Sequence, residues 1–509
     1  MHNLISKSDF KKYLQCPEYF WFYKNRQDVL VEKQMSDFEK ALSEQGKLVE
    51  IKFYEMFPDV QVLASRNLEA VAETKKFDNK EYVYLGQAAF MSDGFFAQSD
   101  LVYFKEDRHI DIYEIKSSSS SQGSDSEDVE QAPNKEEHLN DLCFQYLVAT
   151  KAGYQVDRLF LVELNKTYFK EGDIDLPGLF NISDVTTDII SKGEENKQRM
   201  VLALSKSGEK SQPVTCDCKF KSRKNQCLAF PFLHPEMVGY TVHDLARIGS
   251  SKKRLMEFID KNILKIEDIP VDWDLTDIQR DQVFSWKGNR EIIHVDKIQS
   301  TLQELAYPLY FLDYETCSVA IPIYNGTKPY QQIPFQYSLH IINEPGNEIE
   351  HREFLHLDQT NPTEYLSRQL RSDIGDAGSV VVWNKRFEGM CNKGLAEAVQ
   401  DLSPFLMGIN ERFFDLMEIF SNRMYVHKDF KGSSSIKKVL PVLVPKLSYK
   451  ELAIGDGGTA TTAWKRMVFE INDATDKEKI KTDLLAYCKL DTLAMVKIFM
   501  KIIEKTKNL

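Results

Sequence analysis

Acidic residues stand at the ends of apolar, strand-like stretches in the last two hundred residues of the chain. Asp313 and Glu315 follow the apolar run in "LYFLDYET", and the two-residue period of a strand points both side chains to one face. Two like charges on one face repel, and a divalent cation between them would stabilise the pair. Glu388 ends "VVVWNKRFE", and Asp491 lies one turn after Tyr487 in a predicted final helix, "YCKLD". Carboxylates from three segments predict a site for two Mg²⁺ or Mn²⁺ ions that hydrolyses a phosphodiester, with Tyr487 orienting the water.

These three segments resemble the motifs of the DnaQ-like (DEDD) 3′–5′ exonucleases, in the version whose last motif is Tyr-x-x-x-Asp. "FLDYET", "VVWNKRFE" and "YCKLD" match the motifs in order. The resemblance implies an RNase H-like fold and a catalytic role for Asp313, Glu315, Glu388, Tyr487 and Asp491, with the four acids as metal ligands. The family carries Asp in the second motif, whereas Glu388 reaches one methylene further.

Other polar residues in this half have simpler explanations. "FKGSSSIKKVLPVL" could present hydroxyl groups and Lys437 or Lys438 to phosphates, and a helix N-terminus with a serine cap explains it equally well. Asp415 and Asp456 are predicted to be structural.

A second set of polar residues lies in the first third of the chain. Asp100 opens one predicted strand, and Glu114 and Lys116 in "YEIKSS" share one side of the next. An Asp and a Glu can hold a divalent ion, while a lysine can polarise water or stabilise charge on a phosphate. The following predicted helix carries Gln145, and Glu50 lies upstream.

This second set resembles the RecB-like branch of the PD-(D/E)XK nucleases. Asp100, Glu114 and Lys116 match the signature, and Gln145 matches the glutamine of the next helix. The resemblance implies a restriction-endonuclease-like fold, catalytic roles for these four residues, and metal binding by Asp100 and Glu114. Many members have a histidine where this chain has Glu50, which can still ligate a metal.

Four of the eight cysteines are grouped around this region. Cys16 lies in "LQCPEYFW", and three more lie in "TCDCKFKSRKNQC", at Cys216, Cys218 and Cys227. One early cysteine and three after the nuclease core resemble the pattern by which some RecB-like nucleases bind a 4Fe–4S cluster. Zinc is the competing metal, and free thiols are the third alternative. The basic residues among the last three cysteines could contact nucleic acid. The ungrouped cysteines are predicted to be packing residues: Cys143, Cys317, Cys391 and Cys488.

Composition sets broad limits on the class of protein. The chain has 509 residues, 42% hydrophobic and 28% charged, as in a soluble globular protein of two to four domains. The sequence has no apolar stretch long enough for a membrane span, and its first twenty residues lack the apolar core of a signal peptide, so a cytoplasmic protein is expected. A formal charge of −12 argues against a generally basic nucleic-acid-binding surface but allows a local basic groove.

The order of predicted elements indicates an α/β protein with two larger domains. We predict a RecB-like nuclease domain over 1–235, a helical connector over 236–300 and an RNase H-like exonuclease domain over 301–509. Residues 6–58 are predicted to be helical, with Ser8 or Asp9 as the first cap. The polar stretch 117–137 is predicted to be a loop.

Taken together, the two halves resemble an uncharacterised bacterial family that joins these two nuclease domains. The leading hypothesis is a metal-dependent nuclease acting on DNA, with RNA as a further possible substrate. One alternative is a nucleic-acid-binding scaffold with degenerate nuclease folds. Another is a phosphoesterase that acts on small nucleotides with the same metal chemistry. Protein partners are left open.

Overall fold

Two large β-sheets, one in each unit, and the helices packed on them organise the described residues into a mixed α/β protein of two units. The computed structural model describes residues 4–30, 35, 37–117, 135–250 and 252–507, so most of the loop predicted at 117–137 lies outside the described residues. The first unit comprises Met1–Met35, Glu39–Pro235 and Val319–Tyr330. The second unit comprises Ser36–Phe38, Glu236–Ser318 and Gln331–Leu509.

The first unit is built on a seven-stranded mixed sheet. Its strands are β1 (Ile5–Ser6), β2 (Gln61–Val62), β3 (Val83–Ser92), β4 (Phe95–Phe104), β5 (His109–Lys116), β6 (Gln155–Leu164) and β7 (Phe180–Asp184). Strands β2 to β7 lie side by side in sequence order, and β1 pairs with β4. The β3, β4 and β5 neighbours are antiparallel, and β5 and β6 are parallel. Asp100 and Glu114 therefore lie on adjacent strands.

Helices of the first unit pack on this sheet and surround its edges. They are α1 (Lys7–Gln15), α2 (Pro17–Asn25), α3 (Asp37–Tyr54), α4 (Asn67–Thr74), α5 (Lys135–Lys151), α6 (Leu176–Leu179), α7 (Thr186–Ser207) and α8 (Phe230–Leu233). Buried side chains of α5, such as Leu142 and Phe144, join the core formed by β3, β4 and β5. The predicted cap of α1 is wrong: Ser6 caps the helix, and Asp9 is the third helical residue of its capping box.

The segment Val319–Tyr330 completes the first unit although it follows Glu236–Ser318 of the second unit in sequence. Ala320 is fully buried in a core cluster that contains Val49 of α3. Its backbone N–H donates to the side chain of Gln45 at 2.9 Å, and Gly326 donates to the carbonyl of Lys170 at 2.8 Å. This segment therefore folds as part of the first unit, whereas the sequence placed it in the second.

The second unit contains a five-stranded mixed sheet and a small two-stranded one. Its strands are β8 (Ile292–Ile293), β9 (Leu309–Cys317), β10 (Ile333–Ile342), β11 (Glu350–Leu355), β12 (Ser379–Val382), β13 (Phe413–Asp415) and β14 (Tyr425–Val426). The large sheet has the order β11-β10-β9-β12-β13, and β8 pairs with β14. Strands β9, β10 and β11 are antiparallel neighbours, whereas β12 is parallel to both β9 and β13.

Helices of the second unit cover both faces of the large sheet, and further helices pack elsewhere in this unit. They are α9 (Lys252–Asp260), α10 (Asp277–Gly288), α11 (Val295–Leu302), α12 (Pro362–Asp373), α13 (Lys385–Ala398), α14 (Ser403–Glu411), α15 (Glu418–Ser421), α16 (Ile436–Leu443), α17 (Gly457–Lys465) and α18 (Ala474–Lys507). The range Glu39–Pro235 of the first unit stops where the separate connector is predicted to begin, and residues 236–300 group with the second unit.

Alternation along β9 decides which helix faces the candidate acids. Phe311 lies in the core cluster with Phe499 of α18, and their ring centroids are 5.5 Å apart. Leu312 lies in a different cluster, with Leu366 of α12. Because side chains alternate in a strand, Asp313 continues the face of β9 that α18 covers.

Two carboxylate clusters and a four-cysteine site

The second unit gathers the four acids predicted from the sequence. Oxygen atoms of Asp313 and Glu315 and the Sγ atom of Cys488 all lie within 4.8 Å of one another. The negative charges of Asp491 and Glu388 also repel that of Asp313. The elements β9, α13 and α18 therefore each contribute at least one acid to a single cluster. The expectation that Asp313 and Glu315 share a face is met by their geometry.

The element that carries Glu388 differs from the expectation. The sequence placed this residue at a strand end, but β12 stops at Val382 and Glu388 lies in the first turn of α13. The helix begins here because the side chain of Asn384 accepts a hydrogen bond from the backbone N–H of Phe387. Glu388 is buried, and its Oε2 atom has no hydrogen-bond partner among the described residues.

Burial and mutual repulsion favour the protonated form of these carboxyl groups. Burial, followed by the charges of Asp491 and Glu388, raises the pKa of Asp313 well above its usual value. Burial likewise raises the pKa of Glu388 to about 8 and that of Asp491 to about 6. Three buried carboxyl groups and the partly buried Asp313 fit a site for hard divalent cations, which would favour their ionised forms. The oxygen of Glu388 that lacks a partner among the described residues is available to such a cation.

Two tyrosines and a lysine complete the surroundings of this cluster. The hydroxyl of Tyr449 donates to Oδ1 of Asp491 at 2.6 Å, and its ring centroid is 6.3 Å from that of Tyr487. Lys437, exposed on α16, attracts the charges of Glu315 and Asp491 and so opposes the rise in their pKa values. Sequence reasoning missed Tyr449, because it lies in an irregular segment with no pattern that relates it to Asp491.

Cys488 is a packing residue with an acidic neighbourhood. Its thiol is fully buried and donates weakly to the backbone carbonyl of Asp313 at 3.9 Å. Burial and the charge of Asp313 raise the pKa of Cys488 well above the usual value, so it stays a neutral thiol. A neutral thiol is a poor ligand for Mg²⁺ or Mn²⁺.

Asp415 and Asp456 make contacts that support backbone structure. Asp415 accepts hydrogen bonds from the backbone N–H groups of Lys385 at 3.0 Å and Met417 at 3.1 Å. Asp456 is the N-cap of α17 and accepts from the backbone N–H of Thr459 at 2.8 Å. Both carboxylates satisfy helix or turn amides.

In the first unit, Glu114 is the centre of a buried charge network. Lys116 and Lys7 each place Nζ 2.7 Å from the same oxygen of Glu114, Oε1. Burial alone would raise the pKa of Glu114, but the two ammonium groups outweigh it and hold that pKa below its usual range. Lys116 also contacts Asp141 at 2.9 Å. The sequence analysis did not identify Lys7, which lies 107 residues before Glu114.

Asp100 faces this network from β4. Its Oδ2 accepts from the backbone N–H of Ile115 at 2.8 Å. Burial, with repulsion from Glu114, raises the pKa of Asp100 to about 7. Lys7 opposes this shift by attraction. The three signature residues Asp100, Glu114 and Lys116 therefore lie together, as the sequence predicts.

Glu50 and Gln145 approach the network from two helices. The Oε1 atom of Glu50, on α3, accepts hydrogen bonds from the hydroxyl of Tyr54 and the amide of Gln87, whose φ of 62° is unusual within a strand. The amide nitrogen of Gln145, on α5, donates to Oε2 of Glu114. The other amide atom, Gln145 Oε1, is buried and has no hydrogen-bond partner among the described residues. This acceptor fits a site that takes a cation or a polar ligand.

The four grouped cysteines form a third site. Cys16 stands between α1 and α2, and the others follow α7; their Sγ atoms all lie within 4.8 Å of one another. All four thiols are buried. Contact with Cys16 and its neighbours lowers the pKa of Cys216, and that of Cys218 falls to about 7. Contact with the other thiols, together with burial, raises the pKa values of Cys16 and Cys227, so the four thiols share their protons as one group. Four clustered sulfurs could bind a metal.

Comparisons with known proteins identify one family model and three curated relatives. Residues 310–435 match a family model described as "Domain of unknown function (DUF2779)". That region contains Asp313, Glu315 and Glu388 and stops before Asp491.

Three curated mycoplasmal proteins are similar to this chain. "Uncharacterized protein MG366" of Mycoplasma genitalium is 26% identical over 44% of this chain and 36% of its own length. "Uncharacterized protein UU173" of Ureaplasma parvum is 25% identical over 51% of this chain and 40% of its own length. "Uncharacterized protein MG366 homolog" of Mycoplasma pneumoniae is 26% identical over 42% and 35%. The chain thus aligns with well under half the length of each relative.

The described helices differ from a membrane span in length or in hydropathy. Within the described part of the chain, none combines the length and the apolar character that crossing a bilayer requires.

Proposed function

We propose that this chain is a divalent-metal-dependent nuclease that hydrolyses phosphodiester bonds of DNA, or of RNA, and that its second unit is a 3′–5′ exonuclease. The observation that carries the proposal is the convergence of Asp313, Glu315, Glu388 and Asp491, from three elements, in one cluster in which Asp313 is partly buried and the other three are buried. Such a concentration of negative charge is stabilised by cations, and hard divalent ions prefer oxygen ligands.

The strand order supports an RNase H-like fold for the second unit. If the strands of the large sheet are numbered in chain order, their spatial order across the sheet is third, second, first, fourth and fifth. The first three in chain order, β9, β10 and β11, are antiparallel neighbours. In the first unit, Asp100 and Glu114 lie on adjacent antiparallel strands that α5 covers, which supports the restriction-endonuclease-like assignment.

Each residue of the second-unit cluster has a role in this reaction. Asp313, Glu315, Glu388 and Asp491 would hold two divalent ions, which when bound activate a water and stabilise the leaving oxygen. Tyr487 orients the attacking water. Tyr449 holds the carboxylate of Asp491 in place through its hydrogen bond. Lys437 attracts a phosphate of the substrate to the exposed side of the cluster.

The first-unit site would cut or trim by the same class of chemistry, or hold a strand. Asp100 and Glu114, with Glu50, bind a divalent ion, and Lys116 stabilises the charge that develops on the phosphate. Gln145 fixes the carboxylate of Glu114.

The four cysteines hold a 4Fe–4S cluster in this proposal, with zinc as the second candidate. A set of four thiolates suits either metal centre. Iron and sulfide analysis with the visible absorbance of anaerobically purified protein tests the assignment. Zinc without iron would replace the cluster assignment by a structural zinc site.

The nuclease proposal is tested by end-labelled single- and double-stranded DNA and RNA incubated with Mg²⁺ or Mn²⁺. Asp313→Asn should lower cleavage by more than the roughly 10–100-fold that loss of an outer-shell partner costs. Asp373→Asn is the matched control, because Asp373 is also buried in this unit but bonds to the hydroxyl of Tyr337. Lys116→Ala beside these variants assigns any remaining cleavage to the first unit.

Three outcomes would contradict the proposal. Cleavage that is equal in Asp313→Asn, Lys116→Ala and the unaltered protein would place the activity elsewhere. Nucleic-acid binding without Mn²⁺ binding or cleavage would favour the scaffold alternative. Hydrolysis of a mononucleotide ester in preference to DNA or RNA would favour the phosphoesterase.

A further inference from the structure

Lys7 is fixed over the first-unit acids by the fold of the first residues that the structure describes. Ile5 is fully buried, and Ile5 and Ser6 pair in parallel with β4, the strand that carries Asp100. Ser6 then caps α1, so Lys7 is the first residue of that helix. The strand pairing and the cap leave the backbone of Lys7 little freedom. Its ammonium group therefore has a defined position.

The contacts of Lys7 are those expected of a bound cation. Its Nζ atom lies 2.7 Å from Oε1 of Glu114, and its side chain is 23% exposed while that of Glu114 is 1% exposed. Asp100 and Asp141 attract the same ammonium group from further away. Burial alone would lower the pKa of Lys7, but the combined attraction of Glu114, Asp100 and Asp141 outweighs burial and raises the pKa above its ordinary value. Lys7 is thus a permanent positive charge among the acids.

The charges of the two acid clusters differ because of this lysine. Four carboxylates of the first unit face two ammonium groups: Glu50, Asp100, Glu114 and Asp141 against Lys7 and Lys116. The remaining excess of two negative charges equals the charge of one divalent ion. Lys11 also lies 3.7 Å from Asp141, but it forms a closer ion pair with Glu137, at 2.7 Å. Because the charges of Lys11 and Glu137 cancel, this pair does not change the excess.

Among the described residues, no lysine or arginine forms an ion pair with the four acids of the second-unit cluster. Lys437 attracts Glu315 and Asp491, but it is exposed. Four carboxylates less this one ammonium group leave an excess of three negative charges, which is more than one divalent ion neutralises. The same number of acids in each unit therefore predicts different metal contents.

We propose that Lys7 takes the place of a second cation in the first unit, so that this site binds one divalent ion whereas the second-unit site binds two. The inference rests on the proposed function, since it assumes that the first-unit acids bind a metal. Lys7 is then a positioning residue that holds Glu114 and sets the number of ions, together with Lys116.

Mn²⁺ binding to the full chain tests this inference. The double variant Asp313→Asn/Asp491→Asn removes the second-unit site, and electron paramagnetic resonance then counts the Mn²⁺ that remains. We expect one ion with the signal of an isolated Mn²⁺. Adding Lys7→Gln should raise the number to two, with spin coupling between them, or tighten binding of the first ion about tenfold through loss of a nearby positive charge.

Lys12→Gln is the matched control, because Lys12 lies on the same helix but donates to the carbonyl of Ser8 and contacts the ring of Tyr23. It should leave one ion bound with unchanged affinity. Lys7→Arg keeps the charge and should also leave one ion.

The possible failures are distinguishable. Two coupled ions in the presence of Lys7 would overturn the inference without any need for a Lys7 variant to fold. One ion with the same affinity in folded Lys7→Gln would overturn it too, and would leave the nuclease proposal intact. No Mn²⁺ at the first-unit site would overturn the inference together with the metal role of Asp100 and Glu114.

Discussion

The hydroxyl group of Tyr449 donates a 2.6 Å hydrogen bond to Oδ1 of Asp491, from an irregular segment to the middle of the long helix α18. This bond lowers the pKa of Asp491 against the larger effect of burial. It therefore favours the ionised carboxylate, the form that can ligate a metal. The relationship makes Tyr449 an outer-shell residue of the proposed metal site.

Tyr449→Phe should weaken Mn²⁺ binding at the second-unit site by about 10–100-fold, because Asp491 loses the donor that favours its charged form. The pKa of Asp491 should rise above its present value of about 6, so the acid limb of the activity profile moves to higher pH. Calorimetric titration with Mn²⁺ and cleavage rates across the pH range measure both effects.

Tyr337→Phe is the control for this variant, since Tyr337 also bonds a buried carboxylate, that of Asp373. It should leave the activity profile where it is. An equal shift in both variants would show that loss of a tyrosine hydroxyl acts through general stability.

The raised pKa values in the second unit predict that the metal-free protein becomes less stable as the pH rises. Acids in the unfolded chain release their protons near pH 4, whereas Asp491 does so at about 6 and Glu388 at about 8 in the native state. The native state thus binds more protons between about pH 4 and 8, and the free energy of unfolding falls as the pH rises through this window.

Thermal unfolding of the chelator-treated protein across this window measures that fall. Mg²⁺ should restore more stability at the high-pH end than at the low-pH end, because it binds the ionised acids. Asp313→Asn should have a shallower pH dependence than the unaltered protein. Parallel curves for the two proteins would contradict the assignment of the effect to this cluster.

Glu388→Gln should change stability and activity in opposite directions. The amide keeps the shape of the side chain but removes a buried charge, so the metal-free protein should melt at a higher temperature above about pH 8. Cleavage should fall together with Mn²⁺ affinity, because a proposed ligand is lost. The same variant thus separates the effect of Glu388 on the stability of the metal-free protein from its effect on cleavage.

Glu397→Gln provides the comparison, as Glu397 is exposed on the same helix. We expect neither melting temperature nor cleavage to change. A Glu388→Gln protein that is both less stable and fully active would mean that Glu388 is structural.

Cys16→Ser should release the metal of the cysteine site and lower the melting temperature by several degrees. Cys16 joins the turn between α1 and α2 to residues about two hundred positions later, so the metal closes a long loop. Metal analysis and thermal unfolding measure the two effects. Cys143→Ser removes a buried thiol outside the set and should keep the metal.

Local pattern explains which parts of the fold could be predicted from the sequence. The alternation of apolar residues predicts the strand β9, and the apolar face of α18 predicts that helix. The order of the acids along the chain indicates that they form a cluster. The prediction that Glu388 lies at a strand end is wrong, because the helix α13 begins at its cap Asn384, soon after the apolar run of β12. Lys7 and Tyr449 have no periodic relation to their partners, and only the folded chain brings them together.

The segment Val319–Tyr330 has a consequence for how the protein is made. In the first unit, these residues pack in the core cluster of Val49 and donate a hydrogen bond to the side-chain oxygen of Gln45. The ribosome synthesises them only after β9 of the second unit. The amino-terminal unit therefore cannot reach its final state when residue 235 emerges. It stays incomplete until synthesis has passed residue 330, and an incompletely folded unit is prone to aggregation.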